Sequence, residues 1–230
     1  MKRPRIITFD CYGTLIDWNA GISQALIAEG KRQGFHTDRE MILDVYHDAE
    51  MQVESEHYRT YREILGLLEK EIATQLGLSD PASPGYLADS LPGWQPFVDT
   101  NRSLERLGAM GFELGVLSNI DDELLAGTQR HFTVDFDLLV TAQQLRSYKP
   151  ETPHFEYALE ICGGDHAAIL HIAQSYFHDI QPAVYMGINT IWVNRLSEKV
   201  TDNCSSPTLE VTDLDRAVDW VEQQFSSDTG

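Results

Sequence analysis

The chain has 230 residues, room for one α/β domain or a core with a smaller companion, and 42% hydrophobic with 23% charged residues suits a chain that buries a core without disulfides. Lys and Arg number 17 against 36 Asp and Glu, and the resulting formal charge of −19 repels phosphate backbones and anionic lipid headgroups, which excludes nucleic-acid and membrane-surface roles. Cys11, Cys162 and Cys204 form neither a CxxC pair nor a disulfide framework, no apolar run is long enough to span a membrane, and the basic start Met1-Lys2-Arg3-Pro4-Arg5 meets Asp10 before a signal core develops, so a cytoplasmic protein is expected.

In chain order, residues 5–9 read as a strand that stops at Asp10. Residues 18–35, 39–57 and 58–76 are charged, amphipathic and expected to be helical, and no further strand is seen until residues 114–117. An ordinary crossover does not need that much chain. Residues 18–92 are therefore expected to form an inserted all-helical cap, and residues 1–17 with 93–230 the α/β core, the chain returning through Leu91-Pro92-Gly93-Trp94-Gln95-Pro96. A loop-like stretch at residues 79–85 falls inside the insertion.

Further apolar runs at residues 138–141, 169–173 and 190–193 alternate with helical-length segments, the pattern of βαβ units. The expected fold is α/β, with a Rossmann-like, doubly wound parallel sheet. An insertion after the first strand of such a sheet falls at the C-terminal strand ends, where these sheets bind ligands, and is placed as a lid. In residues 209–225, Leu214, Ala217, Val218 and Val221 have helical spacing and close the core. Apolar cap positions Leu65, Leu67 and Leu68 suggest a homodimer through the cap.

Polar residues stand at or just beyond the predicted strand ends: Asp10, Ser118-Asn119, Lys149 in Ser147-Tyr148-Lys149-Pro150, and Asp179. Phe9-Asp10-Cys11-Tyr12-Gly13-Thr14-Leu15 sets a carboxylate where backbone N–H groups and a nearby hydroxyl can hold it, as a nucleophile requires; the alternative is an Asp that caps a turn.

Asp10-Cys11-Tyr12-Gly13-Thr14-Leu15 followed by Asp17, Leu117-Ser118-Asn119, Tyr148-Lys149-Pro150 and Asp179, in this order over residues 5–195, resemble the haloacid dehalogenase superfamily of aspartate-nucleophile hydrolases, most of all its L-2-haloacid dehalogenase branch. The resemblance implies the fold of that superfamily, a helical cap and a small anionic substrate. It also implies roles. Asp10 forms a covalent ester; Thr14 and Ser118 hold Asp10 and the substrate; Lys149 supplies positive charge; Asp179 orients Lys149 and the hydrolytic water. Cys11, Tyr12, Asn119, Ser175, Tyr176 and His178 are expected to line the substrate site.

Departures from the superfamily pattern divide the chemistries. Phosphatases of the superfamily carry a second Asp two residues after the nucleophile, where this chain has Tyr12, and hold Mg²⁺ with an Asp whose place is taken by Ser175. A halide leaves without protonation, so the pattern implies cleavage of a 2-haloacid to the 2-hydroxy acid with no metal or cofactor. A Mg²⁺-dependent phosphatase and a non-catalytic metabolite-binding protein stand as alternatives. The pocket departs too: Val45-Tyr46-His47-Asp48 lacks the Arg that those dehalogenases use against the halide, with His47 in its vicinity, and Phe155 replaces a Tyr.

The remaining signals have plainer readings. Cys11 matches no cysteine-nucleophile signature, and a strand-end Cys usually packs. His166, His171 and His178 fit no zinc spacing and read as satisfied or exposed. Tyr58, Arg59, Tyr61 and Arg62 either clamp an anion or pair with Glu54, Glu56 and Glu63. Trp18 and Trp94 at the cap junctions read as packing.

Overall fold

The computed structural model describes residues 1–36, 38–53, 58–78, 84–200 and 206–225, without the side chains of His47 and residues 50–53. Cys204, Glu54, Glu56, the side chain of His47 and most of the 79–85 stretch lie outside the described residues. The chain forms two units: Met1–Ile16, Pro96–Asn119 and His131–Gly230 in one, Asp17–Gln95 and Ile120–Arg130 in the other.

The first unit holds a parallel sheet of strands β1 (Ile6–Phe9), β2 (Glu113–Ser118), β3 (Leu138–Thr141), β4 (Ile169–Ala173), β5 (Asn189–Val193) and β6 (Leu209–Val211). They lie in the order β3-β2-β1-β4-β5-β6, doubly wound as expected. β1 and β4 are buried at every position, which explains why both read as short continuous apolar runs. The order changes direction between β1 and β4, whose register pairs Thr8 with His171 and Phe9 with Ile172. Asp10 and Asp179 follow these two strands. In the segment 209–225, Leu209–Val211 forms an edge strand and the helix begins at Leu214. Leu214, Ala217, Val218 and Val221 are all buried, as their spacing implies.

The second unit is helical: Trp18–Arg32, Arg39–Val53, Tyr61–Gln75, Tyr86–Ser90 and Asp122–Gln129. Thr60 and Glu63 form a capping box at the start of Tyr61–Gln75. A Cβ on Gly21 would come within 2.3 Å of the Trp94 ring, so only glycine lets that ring seat on the first helix. Trp18 packs edge-on against Tyr46 at 4.7 Å. Both tryptophans are packing residues.

Residues 120–130 group with the helical unit. The Asp121 carboxylate accepts the backbone N–H groups of Tyr61 at 2.9 Å and Arg62 at 2.8 Å, which the first turn of a helix otherwise leaves unsatisfied. Arg62 also pairs with Glu123 and Asp89, which gives this arginine to an ion-pair network instead of an anion clamp. Leu65 and Leu68 are buried within the unit, so packing accounts for two of the three residues behind the expected homodimer. Among the described residues no helix is long and apolar enough to cross a membrane.

Candidate active site

Asp10 leaves β1 into a tight loop. Leu15 and Ile16 both donate their N–H to Cys11 O, and Gly13 donates to Ile16 O from a φ of +97°, a conformation that favours glycine. The loop returns Thr14 toward Asp10, and its hydroxyl donates to Asp10 Oδ2 at 2.9 Å. Thr14 Oγ1 in turn accepts the Gln174 N–H at 2.9 Å, which ties the loop to the end of β4.

Lys149 is the centre of the arrangement. Its ammonium donates to Asp10 Oδ1 at 3.1 Å, to Asp179 Oδ1 at 2.6 Å and to Leu117 O at 2.8 Å. These three bonds use its three N–H groups, and the residue is only 2% exposed. Asn119 holds the Lys149 backbone from both sides, accepting its N–H at 2.7 Å and donating to its carbonyl at 2.9 Å. Asp179 Oδ1 also faces His171 Nε2 at 3.0 Å, while His171 Nδ1 meets Thr8 Oγ1 at 2.9 Å. Deleting one partner of a buried charge cluster of this kind costs about 3–5 kcal/mol, because the other charges stay buried.

The two carboxyls are driven apart. Burial pushes Asp10 up, Lys149 pulls it back and Asp179 pushes again, which leaves it above the usual carboxylate range. Burial pushes Asp179 up too, but Lys149 and the His171 hydrogen bond pull harder and hold it at about 2. Burial opposes the Lys149 charge, yet the two carboxylates outweigh it and raise the ammonium above its ordinary value. His154 is depressed to about 4 by burial and then by Lys149, so its ring is neutral at pH 7; its Nε2 lies 3.3 Å from Ser118 O. Ser118 Oγ, at the end of β2, is buried without a hydrogen-bond partner, an acceptor and donor held in reserve.

Asp10, Thr14, Lys149 and Asp179 thus come together as a cluster, with Ser118 and Asn119 at its β2 side. Tyr12 is half-buried in the turn after Asp10 and bridges to Ile16. The structure also places the other four residues expected to line the substrate. Cys11 is fully buried, its thiol pushed well up by burial and then by Asp10. Ser175 caps the helical turn Tyr176–Ile180, its Oγ accepting the His178 N–H at 3.1 Å and meeting His178 Nδ1 at 3.0 Å. His178 is exposed on that turn. Tyr176 packs edge-on against Trp192 at 5.1 Å within a core cluster.

Phe155, which stands where the dehalogenases have Tyr, is buried with its ring edge-on to His171 at 5.1 Å. Gln174, not Ser175, is the residue that meets the Asp10 loop after β4, and neither carries a charge. Asp179 Oδ1 is taken by Lys149 and His171, and among the described residues no group of three His, Cys, Asp or Glu is placed to hold an ion.

Sequence reasoning read His171 as satisfied or exposed without linking it to the site, and it did not single out Thr8. Their signal was a polar residue inside each of two otherwise apolar, fully buried strands, which calls for a buried partner; that the partners are each other follows only from the strand register.

A doubly wound α/β protein with a buried Asp–Lys–Asp cluster at the point where its strand order reverses is the class that fold and site define. Residues 4–187 match the haloacid dehalogenase-like hydrolase family, and the chain belongs to that family of hydrolases. It is 26% identical over 230 residues to the (S)-2-haloacid dehalogenase of Pseudomonas sp. (strain YL), covering 94% of each chain. It is also 26% identical over 213 residues to haloacid dehalogenase-like hydrolase domain-containing protein 3 of Danio rerio, covering 85% of this chain and 87% of that one. The L-2-haloacid dehalogenase from Xanthobacter autotrophicus with chloropropionic acid covalently bound shares the fold, with a TM-score of 0.77, 18% identity and coverage of 95% of this chain and 98% of that one.

Proposed function

We propose that this hydrolase cleaves the carbon–halogen bond of a small 2-haloacid through an ester on Asp10, without a metal ion. The observation that carries the reading is the buried Asp10–Lys149–Asp179 cluster with uncharged Gln174 and Ser175 beside it. Covalently bound chloropropionic acid in the Xanthobacter autotrophicus relative supports the covalent step, and the name of the Pseudomonas relative supports the substrate class.

The chemistry follows from what each group can do. Asp10, whose ionised form Lys149 favours and which Thr14 aligns, attacks C2; a C–O bond forms, and the halide leaves with the electron pair of the C–X bond. No acid is needed for that leaving group, which fits Tyr12 where a phosphatase places a carboxyl. With its three N–H groups spent, Lys149 acts on the substrate through its field, and the unpartnered Ser118 hydroxyl is the group available to bond the substrate carboxylate.

Water then attacks the Asp10 carbonyl carbon, its proton passing by way of Asp179 to the departing alkoxide oxygen. A carboxyl held at about 2 is a poor resting place for a proton, so the transfer onward accompanies C–O scission. C2 is inverted once, and the product is the hydroxy acid of opposite configuration.

Halide release from racemic 2-chloropropionate in EDTA, compared with Asp10→Asn, tests the reading, with p-nitrophenyl phosphate and Mg²⁺ run in parallel. Release that survives EDTA and vanishes in the variant is the expected result. Phosphate-ester turnover requiring both Mg²⁺ and Asp10 overturns it in favour of a phosphatase.

A further inference from the structure

His171 has no part in the steps above, yet it is fully buried in the middle of β4 and both of its ring nitrogens are engaged. With a ring proton on Nε2, Nε2–H donates to Asp179 Oδ1, and Nδ1 meets the Thr8 hydroxyl. This oxygen therefore receives two donors, Nε2 at 3.0 Å and Lys149 Nζ at 2.6 Å. Asp179 Oδ2 has no hydrogen-bond partner among the described residues. A carboxylate gripped through one oxygen by donors on different elements is fixed in rotation as well as in position. Phe155, edge-on at 5.1 Å, restrains the imidazole plane.

We infer that His171, itself set by Thr8, is a positioning residue for the second half-reaction: by holding Asp179 through Oδ1 it leaves Oδ2 aimed as the acceptor for the hydrolytic water. The inference rests on the reading that Asp10 forms an ester. Asp10 has its own donors, Thr14 and Lys149, and none from His171, so the two halves of the reaction depend on His171 unequally. Ester formation, in which C–O forms and C–X breaks, proceeds without it. Ester hydrolysis does not: the water proton goes to Oδ2, the water oxygen joins the Asp10 carbonyl carbon, and the alkoxide leaves with the proton.

The test is rapid-quench halide release and intact-protein mass with 2-chloropropionate, on the wild type, His171→Phe, His171→Gln and Thr8→Val. In His171→Phe the first-turnover burst is expected to stay within about twofold of wild type while steady-state release falls about 10- to 100-fold, the scale of a small misplacement of a reacting group. The mass of the ester adduct should then accumulate. His171→Gln, which can present an amide N–H near the Nε2 position, should recover most of the steady-state rate. Thr8→Val, close in shape and lacking the hydroxyl, should shift the same ratio in the same direction by less, and it decides the matter if the Phe variant does not fold.

Burst and steady state falling together, or an unchanged ratio in the variants of both residues, overturns the role of His171 alone. A wild type that forms no adduct on Asp10 overturns the ester reading, and the inference with it.

Discussion

Both units bury carboxylates, and they do so in different ways. In the helical unit, Glu69 is 2% exposed and accepts the N–H groups of Gly85 at 2.7 Å and Leu87 at 2.8 Å, while Glu29 pairs with Arg32 and Gln33 on its own helix. In the α/β unit, Asp10 and Asp179 share one ammonium delivered from a distant part of the chain. Burial lifts Glu69 above the usual carboxylate range and its two neutral N–H donors only partly offset this, whereas the ammonium and His171 take Asp179 down to about 2. Burial alone therefore does not mark a site. The mark is a buried charge whose partners come from several strand ends and whose bonding capacity is incompletely used, as with Asp179 Oδ2 and Ser118 Oγ.

The sharpest way to break this contrast is Asp10→Asn, which should cost about 10⁴-fold or more in halide release if the cluster is nucleophilic, with the fold retained by circular dichroism. An equal loss from Glu69→Gln would erase the distinction between the two units.

Lys149→Met comes next and acts on stability as well as on turnover. With the cation gone, two buried carboxylates repel, and urea unfolding at pH 7 should show a loss of about 3–5 kcal/mol. The sign with pH follows. Without Lys149 both carboxyls rise above their unfolded values, so the variant should regain stability as pH falls from 7 toward 5. The wild type instead keeps the Asp179 contribution above about pH 4 and loses it as pH falls toward 2, through the depressed carboxyl. A variant whose deficit is flat between pH 7 and 5 would show that the carboxylates are not coupled to Lys149.

Glu69→Gln keeps one acceptor for two N–H groups and should cost about 1–2 kcal/mol in urea unfolding, with kcat within twofold of wild type. Arg62→Ala should have the smallest effect. Its partners Asp89 and Glu123 are 70% and 67% exposed in their side chains, so less than about 1 kcal/mol is expected, shrinking further in high salt.

Much of the fold was legible because β-branched runs and amphipathic spacing are local signals. β1, β3 and β4 fall where their apolar runs lie, and the helical insertion is present. The three-residue β6 was not legible, since so short an edge strand has no pattern of its own and forms by pairing with β5. Nor was the bonding of Asp121 to the first turn of a helix sixty residues earlier in the chain. At the site, Asp10, Thr14, Lys149 and Asp179 could be named because their motifs are short and ordered. The packing of Cys11, the cap made by Ser175 and the ring contact of Tyr176 were not legible, because proximity in sequence to Asp10 or Asp179 does not say which way a side chain turns.

By itself, the sequence determined most of the strand and helix pattern, the acidic character of the chain, the superfamily its motifs resemble, and which aspartates and lysine those motifs single out. Only the tertiary structure decided that Lys149 spends all its donors, that Asn119 holds the lysine backbone, and that Thr8 and His171 meet across β1 and β4 to grip Asp179. Hydrogen bonds between residues more than a hundred positions apart depend on strand order and register. Those follow from how the whole sheet buries its apolar faces, which no local stretch of sequence encodes.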